Sequence, residues 1–113
     1  MNNFKRVFLK QILLHPEFSE NENFIELLEF LNDKMVENLL LHLKDFYSRK
    51  KNGEFQMEML KYIEGSSFNL ESKEFIANSL FQYNPKNKIG EESIRSTILA
   101  MKELGKKSRS LGE

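Results

Sequence analysis

Apolar residues recur at steps of three and four along nearly the whole chain, and this period constrains the fold more than any other feature. The clearest stripe contains Met35, Val36, Leu39, Leu40, Leu43, Phe46 and Tyr47. Residues at these steps share one face of an α-helix, which can then pack against a core. No stretch shows the alternation of polar and apolar residues that is typical of a half-buried strand. The sequence therefore predicts an all-α protein.

Residues that break helices divide the chain into about six segments. Pro16 ends the first helix, because proline lacks an N–H and disfavours the α conformation in the residue before it. Asn52 and Gly53 mark the end of a later helix. Ser19 and Glu22 have the spacing of a capping box before the second helix. Together these signals predict a compact bundle of about six helices joined by short loops.

The last predicted helix begins near Glu91 and is the longest. Its apolar stripe contains Ile94, Ile98, Met101 and Leu104, which we expect to face inward, with Leu99 beside them. Gly105 interrupts this stripe. Residues 106–113 are polar, and we expect them either to fray or to begin a following helical hairpin. Residues 1–113 are otherwise predicted to form a single helical domain.

The composition excludes several classes of protein. The chain has 17 basic and 17 acidic residues, so its formal net charge is zero, and we expect no direct contact with nucleic acid. It contains no cysteine, which removes disulfides, thiolate zinc sites and cysteine nucleophiles, and which fits a cytoplasmic protein. No apolar run approaches the roughly 20 residues that span a bilayer, so no membrane association is expected.

Residue types that perform chemistry are few and scattered. His15 stands at a helix end before Pro16, where an imidazole can bond free carbonyls, and His42 lies off the apolar stripe of its helix. The histidines lack the spacing of a zinc site, and neither a phosphate-binding glycine loop nor a nucleophile elbow occurs. We therefore expect no catalytic residue, no metal site and no cofactor. The chain by itself is predicted not to be an enzyme.

Two basic features remain as candidates for binding. One is the run SRKKN at residues 48–52, whose charge also suits a helix C-terminus. The other is the last helix, where apolar anchors would supply affinity for another protein and charges would steer its approach. The predicted partner-binding residues are Arg95, Met101, Lys102, Leu104, Lys106 and Lys107.

The string FLKQILLHPEF near the start resembles the first helix of the C-terminal, helicase-binding domain of bacterial DnaG-type primases. In that family this helix typically ends in a turn with two leucines, one variable residue, His or Asn, Pro, Glu, and Leu or Phe; here His15 follows Leu14 directly. The matching residues here are Leu13, Leu14, His15, Pro16, Glu17 and Phe18. The order of the later segments agrees: FIELLEFL, VENLLLHLKDFYSRKKNG, a short helix ending at Gly65, LESKEFIANSLFQY, and the long IRSTILAMKELGKKSRS.

The resemblance implies a six-helix subdomain without catalytic residues of its own. Its partner would be the N-terminal region of a DnaB-type replicative helicase, and it would couple primer synthesis to unwinding in bacterial DNA replication. The parent protein would be a DNA primase, a nucleotidyltransferase whose polymerising site lies in a preceding domain. A terminal helical hairpin often follows the bundle in this family. Because the chain ends at Glu113, we expect either that this hairpin is missing or that the last helix is its first arm.

Two other interpretations remain open. The N-terminal oligomerisation domain of DnaB-type helicases is similar in fold, and it would make self-association the main property of the chain. Those domains follow a P-x-x-x-E-x-x-L-L-G opening, whereas residues 4–14 contain neither that proline nor that glycine. The third interpretation is a small nucleic-acid-binding helical protein that uses Arg49, Lys50, Lys51 and the C-terminal lysines. The neutral charge balance disfavours it.

Overall fold

The helices of the computed structural model begin and end close to the positions that the apolar period predicts. The structure describes residues 3–49 and 54–112, with side chains up to Lys107, so the predicted stop at Asn52 and Gly53 lies outside it. The six α-helices are α1 (Asn3–Leu14), α2 (Phe24–Leu28), α3 (Lys34–Arg49), α4 (Phe55–Glu64), α5 (Leu70–Gln82) and α6 (Glu91–Gly112). All regular structure in the described residues is helical, which confirms the all-α bundle with a long last helix.

Two short 3-10 helices flank α2, and we call them the Pro16 turn (Pro16–Glu20) and the Phe30 turn (Glu29–Leu31). In the Pro16 turn the Ser19 hydroxyl donates a hydrogen bond to the Pro16 carbonyl at 2.7 Å. The predicted capping box at Ser19 is therefore wrong, because this hydroxyl is used inside its own turn. The helix α2 begins later, after the Asn21 side chain accepts a hydrogen bond from the Asn23 N–H at 2.8 Å.

The central helix of the bundle is α3. It buries Val36, Leu39, Leu40, Leu43 and Tyr47, which are five of the seven residues in the predicted stripe. Phe46 is half-buried and Met35 is 38% exposed. The Pro16 turn and α4 pack against it. In the rest of the bundle, α5 packs on α1 and α4, while α6 packs on α1, α2 and the Phe30 turn. Each fully buried leucine contributes about 1.5–3 kcal/mol to stability. The buried residues of α3 therefore supply a large part of the stability that comes from the core.

The inward face of α6 differs by one residue from the predicted one. Ile94, Ile98 and Met101 are buried, but the next inward position is Gly105, whereas the Leu104 side chain is 52% exposed. A Cβ atom added to Gly105 would lie 2.9 Å from the Phe30 Cβ, so a side chain has no room here. Gly105 thus continues the inward stripe that it was predicted to interrupt, and the helical backbone runs on to Gly112.

None of the described helices combines the length and the apolar character that crossing a membrane requires.

Candidate protein-interaction surface

The two histidines lie in separate parts of the bundle, one at a helix corner and one on the surface of α3. The His15 Nδ1 lies 3.8 Å from the Glu17 Oε2, beyond hydrogen-bonding distance, at the corner between α1 and the Pro16 turn. On the surface of α3, the His42 Nδ1 is 2.9 Å from the Asn38 carbonyl, and the ring packs against Tyr62 with centroids 4.2 Å apart. Across residues 3–49 and 54–112, no cluster of three or more His, Cys, Asp or Glu side chains could hold a metal ion.

Glu17 connects the N-terminal corner to the start of α6. Its carboxylate is buried, and Oε2 accepts a hydrogen bond from the Ile89 N–H at 2.9 Å, across 72 residues of sequence. Ile89 lies two residues before α6 begins at Glu91. A buried acceptor paired with a backbone N–H holds both segments, because separating them leaves polar groups without partners. The LLHPEF turn therefore helps to fix where α6 starts.

The same carboxylate lies close enough to two tyrosines to affect their ionisation. Burial, and secondly the charge of Glu17, raise the pKa of Tyr83 above its ordinary value. Burial is also the main cause that raises the pKa of Tyr47 to about 12, with smaller contributions from Glu17, Tyr83 and Glu20. The Tyr47 side chain is only 1% exposed. The Phe55 ring packs edge-on against the Tyr47 ring, with the ring centroids 5.4 Å apart. Both tyrosines are thus held in the protonated form at neutral pH.

We expect the protein to lose stability at alkaline pH because of Tyr47. A group whose pKa is higher in the folded than in the unfolded state stabilises the fold fully below the unfolded pKa of about 10. This contribution, on the order of 2 kcal/mol, is lost as the pH rises from about 10 to about 12. Urea unfolding measured at pH 8 and pH 11.5 tests this. The Tyr47→Phe variant should show a smaller difference between the two pH values, and an equal difference would contradict the assignment.

The predicted partner-binding residues lie on two sides of α6. At 3.6 residues per turn, Arg95, Lys102 and Lys106 share one side with Leu99, and we call these four residues the α2 flank. The Lys102 Nζ lies 3.1 Å from the Glu26 Oε2 on α2, which shows that this side of α6 faces towards α2. The sequence placed Leu99 beside the inward stripe, but its side chain is 59% exposed. The α2 flank is thus an apolar side chain surrounded by three cations.

Leu104 and Lys107 lie on the other side of α6, with Ala100, and we call these three residues the far flank. All three are exposed. Met101 belongs to neither flank, because it is only 5% exposed and packs in the core between them. The prediction that Met101 is presented to a partner is therefore wrong. The signal that could have separated these residues is the i, i+4, i+7, i+11 spacing of Ile94, Ile98, Met101 and Gly105.

The basic run at residues 48–52 is described only at its first two residues. The Arg49 guanidinium contacts Asp45 at 2.6 Å and lies over the Phe46 ring at 5.4 Å. Both contacts are within α3, so this arginine covers its own helix. Residues 50–52 of the run, which include Lys50 and Lys51, lie outside the described residues.

The fold and the surface define a class, a small all-α bundle whose long last helix exposes an apolar and basic flank. No protein-family model, no curated protein and no solved structure matches the chain.

Proposed function

We propose that this chain is a non-catalytic interaction module that binds the N-terminal region of a DnaB-type replicative helicase. In this proposal it is the helicase-binding part of a bacterial DNA primase and couples primer synthesis to unwinding. The observation that carries the proposal is the α2 flank, an exposed leucine among three cations on a helix that is otherwise fixed in the core. The resemblance of the LLHPEF turn to DnaG-type primases supplies the identity of the partner.

The rigidity of α6 supports a docking role. Ile94, Ile98 and Met101 hold its inner face, and the Glu17 hydrogen bond holds the segment before it. A surface helix that is already ordered loses little conformational entropy when a partner binds, which improves affinity. Leu99 takes the place of Met101 as the apolar anchor of this surface.

The charges of the α2 flank would mainly affect how fast a partner associates and how it is oriented. Lys102 pairs with Glu26, and the Lys106 Nζ lies 3.7 Å from the Glu103 Oε1 on the same helix. The Lys106–Glu103 pair is exposed and is worth at most about 1 kcal/mol, so a partner carboxylate can replace Glu103 at little cost. Cations around an apolar anchor raise the association rate with an acidic partner surface and fix its orientation.

Leu99→Asp is expected to weaken binding to a hexameric DnaB-type helicase at least tenfold. The substitution places a carboxylate at the centre of the proposed contact, where it removes an apolar anchor and desolvates a charge. Fluorescence anisotropy of the labelled chain, titrated with helicase, measures the change. Leu41→Asp is the matched control, because Leu41 is an exposed leucine on α3 and should leave the affinity unchanged. Leu104→Asp, on the far flank, shows whether both sides of α6 take part.

Three results would redirect the assignment. Absence of helicase binding, even after a terminal helical hairpin is added to the chain, would eliminate the primase interpretation. Stable higher oligomers of the isolated chain in light scattering would favour a helicase oligomerisation domain. Affinity for single-stranded DNA that falls steeply with salt would favour a nucleic-acid-binding protein.

A further inference from the structure

A second exposed surface lies along α4 and α5. Two contacts show that these helices run antiparallel. Near one end the Gln56 side-chain amide donates a hydrogen bond to the Leu80 carbonyl. Near the other end the Lys73 ammonium donates to the Glu64 carbonyl at 3.3 Å. The start of α4 therefore lies beside the end of α5, and the end of α4 beside the start of α5.

The outer side of this helix pair is unusually apolar. Leu70, Phe81 and Met57 are 72%, 69% and 60% exposed, and they are the three most exposed large apolar side chains among the described residues. Leu70 and Phe81 are eleven residues apart and share one face of α5 with the half-buried Ala77. Met57 shares a face of α4 with the half-buried Leu60. These five residues form an apolar strip along both helices, which we call the α4–α5 strip.

The border of the strip is acidic. Residues 54–82 contain five glutamates and two lysines, although the whole chain is neutral. The exposed charged side chains there are Glu54, Lys61, Glu64, Glu71 and Glu74. The Glu71 carboxylate is ion-paired with the Arg6 guanidinium of α1 at 2.5 Å, so the negative border depends on Glu54, Glu64 and Glu74. The Lys73 ammonium is used at the end of α4, where it bonds the Glu64 carbonyl. An apolar strip with a negative border favours an occupant that is apolar on one face and positive beside it.

We propose that the α4–α5 strip is a docking site for a basic amphipathic helix of another protein. Such a helix lays its apolar face between two helices and contacts them at steps of three, four and seven residues. Its lysine and arginine stems cover the edges of the strip while their charged ends reach the glutamates. This site goes beyond helicase binding by α6, because α6 packs on α1 and α2 whereas α4 packs on α3 and α5. The two surfaces share no residue, so substitutions can test them separately.

The test uses the full chain and a synthetic peptide of 18 residues with leucines on one helical face and lysines beside them. The wild-type chain should bind it with one saturable site and more weakly at high salt. Phe81→Glu and Met57→Glu should each weaken binding at least tenfold. Because both substitutions add negative charge, a purely electrostatic association would become tighter instead. Thermal melts confirm that the exposed substitutions leave the fold intact.

The controls separate this site from the proposed function. Leu104→Glu on α6 should leave the peptide affinity within twofold of wild type, whereas a matching loss would overturn the assignment to α4 and α5. A peptide with glutamates in place of the lysines should not bind, and equal binding of both peptides would also overturn the proposal. If the chain formed a concentration-dependent dimer and Phe81→Glu abolished it, the occupant of the strip would be a second copy of this chain and not a helix of another protein. None of these results depends on whether the helicase binds.

Discussion

Met101→Asp is expected to release α6 from the bundle and to lower the free energy of unfolding by about 3–5 kcal/mol. The substitution removes a buried thioether side chain and places a carboxylate among apolar neighbours, since only 5% of Met101 is exposed. Domains of this size are stable by only about 5–15 kcal/mol, so a domain at the lower end of this range would be largely unfolded after such a loss. Met101→Asp would then fail to bind a partner because it does not fold, and not because a contact with the partner is lost.

Urea unfolding followed by circular dichroism measures this effect, and Leu104→Asp is the matched control. Leu104 lies three residues further along the same helix, but its side chain is half exposed. We expect its replacement to cost less than about 1 kcal/mol, mainly through the lower helix propensity of aspartate. If Met101→Asp were as stable as the wild-type chain and lost only partner binding, Met101 would be a surface residue and the inward face of α6 would be wrong.

Gly105→Leu is expected to lower the free energy of unfolding by about 2–3 kcal/mol, despite the better helix propensity of leucine. An added Cβ would lie 2.9 Å from the Phe30 Cβ and 3.3 Å from the Phe4 Cζ. The Phe30 Cβ is joined directly to the backbone, so it cannot move aside as the end of a flexible side chain can. Leucine at this position would therefore push the last part of α6 away from the Phe30 turn and α1.

Hydrogen exchange of the α6 amides measures where the helix opens. In Gly105→Leu the protection of amides after Met101 should fall more than that of amides near Ile94. Ser96→Leu provides the control, because Ser96 is exposed on the same helix and a larger side chain meets no neighbour in the core. A Gly105→Leu protein with wild-type stability would show that α6 does not approach Phe30 this closely.

The positions of most helices could be predicted because they depend on local signals. The apolar period of α3 and the break at Pro16 are properties of short segments, and the structure agrees with both. The capping box at Ser19 failed for a physical reason. A serine hydroxyl can bond several nearby backbone groups, and the 3-10 turn after Pro16 brought the Pro16 carbonyl within reach.

The candidate surface could be predicted only in part. The exposure of Arg95, Lys106 and Lys107 follows from their charge, because a lysine or arginine is rarely buried without a partner. The spacing of Ile94, Ile98 and Met101 predicted that Met101 faces inward, and Met101 is buried. It did not predict that Leu104, which was placed in the same stripe, and Leu99 beside it are both exposed.

The sequence by itself determined that the chain is helical, because helix formation follows from the period of its apolar residues. Only the tertiary structure decided that Gly105, and not Leu104, continues the buried face of α6. That choice depends on the close approach of Gly105 to the Phe30 side chain, which is distant in sequence. It also decided that Glu17 bonds Ile89 and that the start of α4 lies beside the end of α5. Such contacts join segments far apart along the chain, and no local pattern contains them.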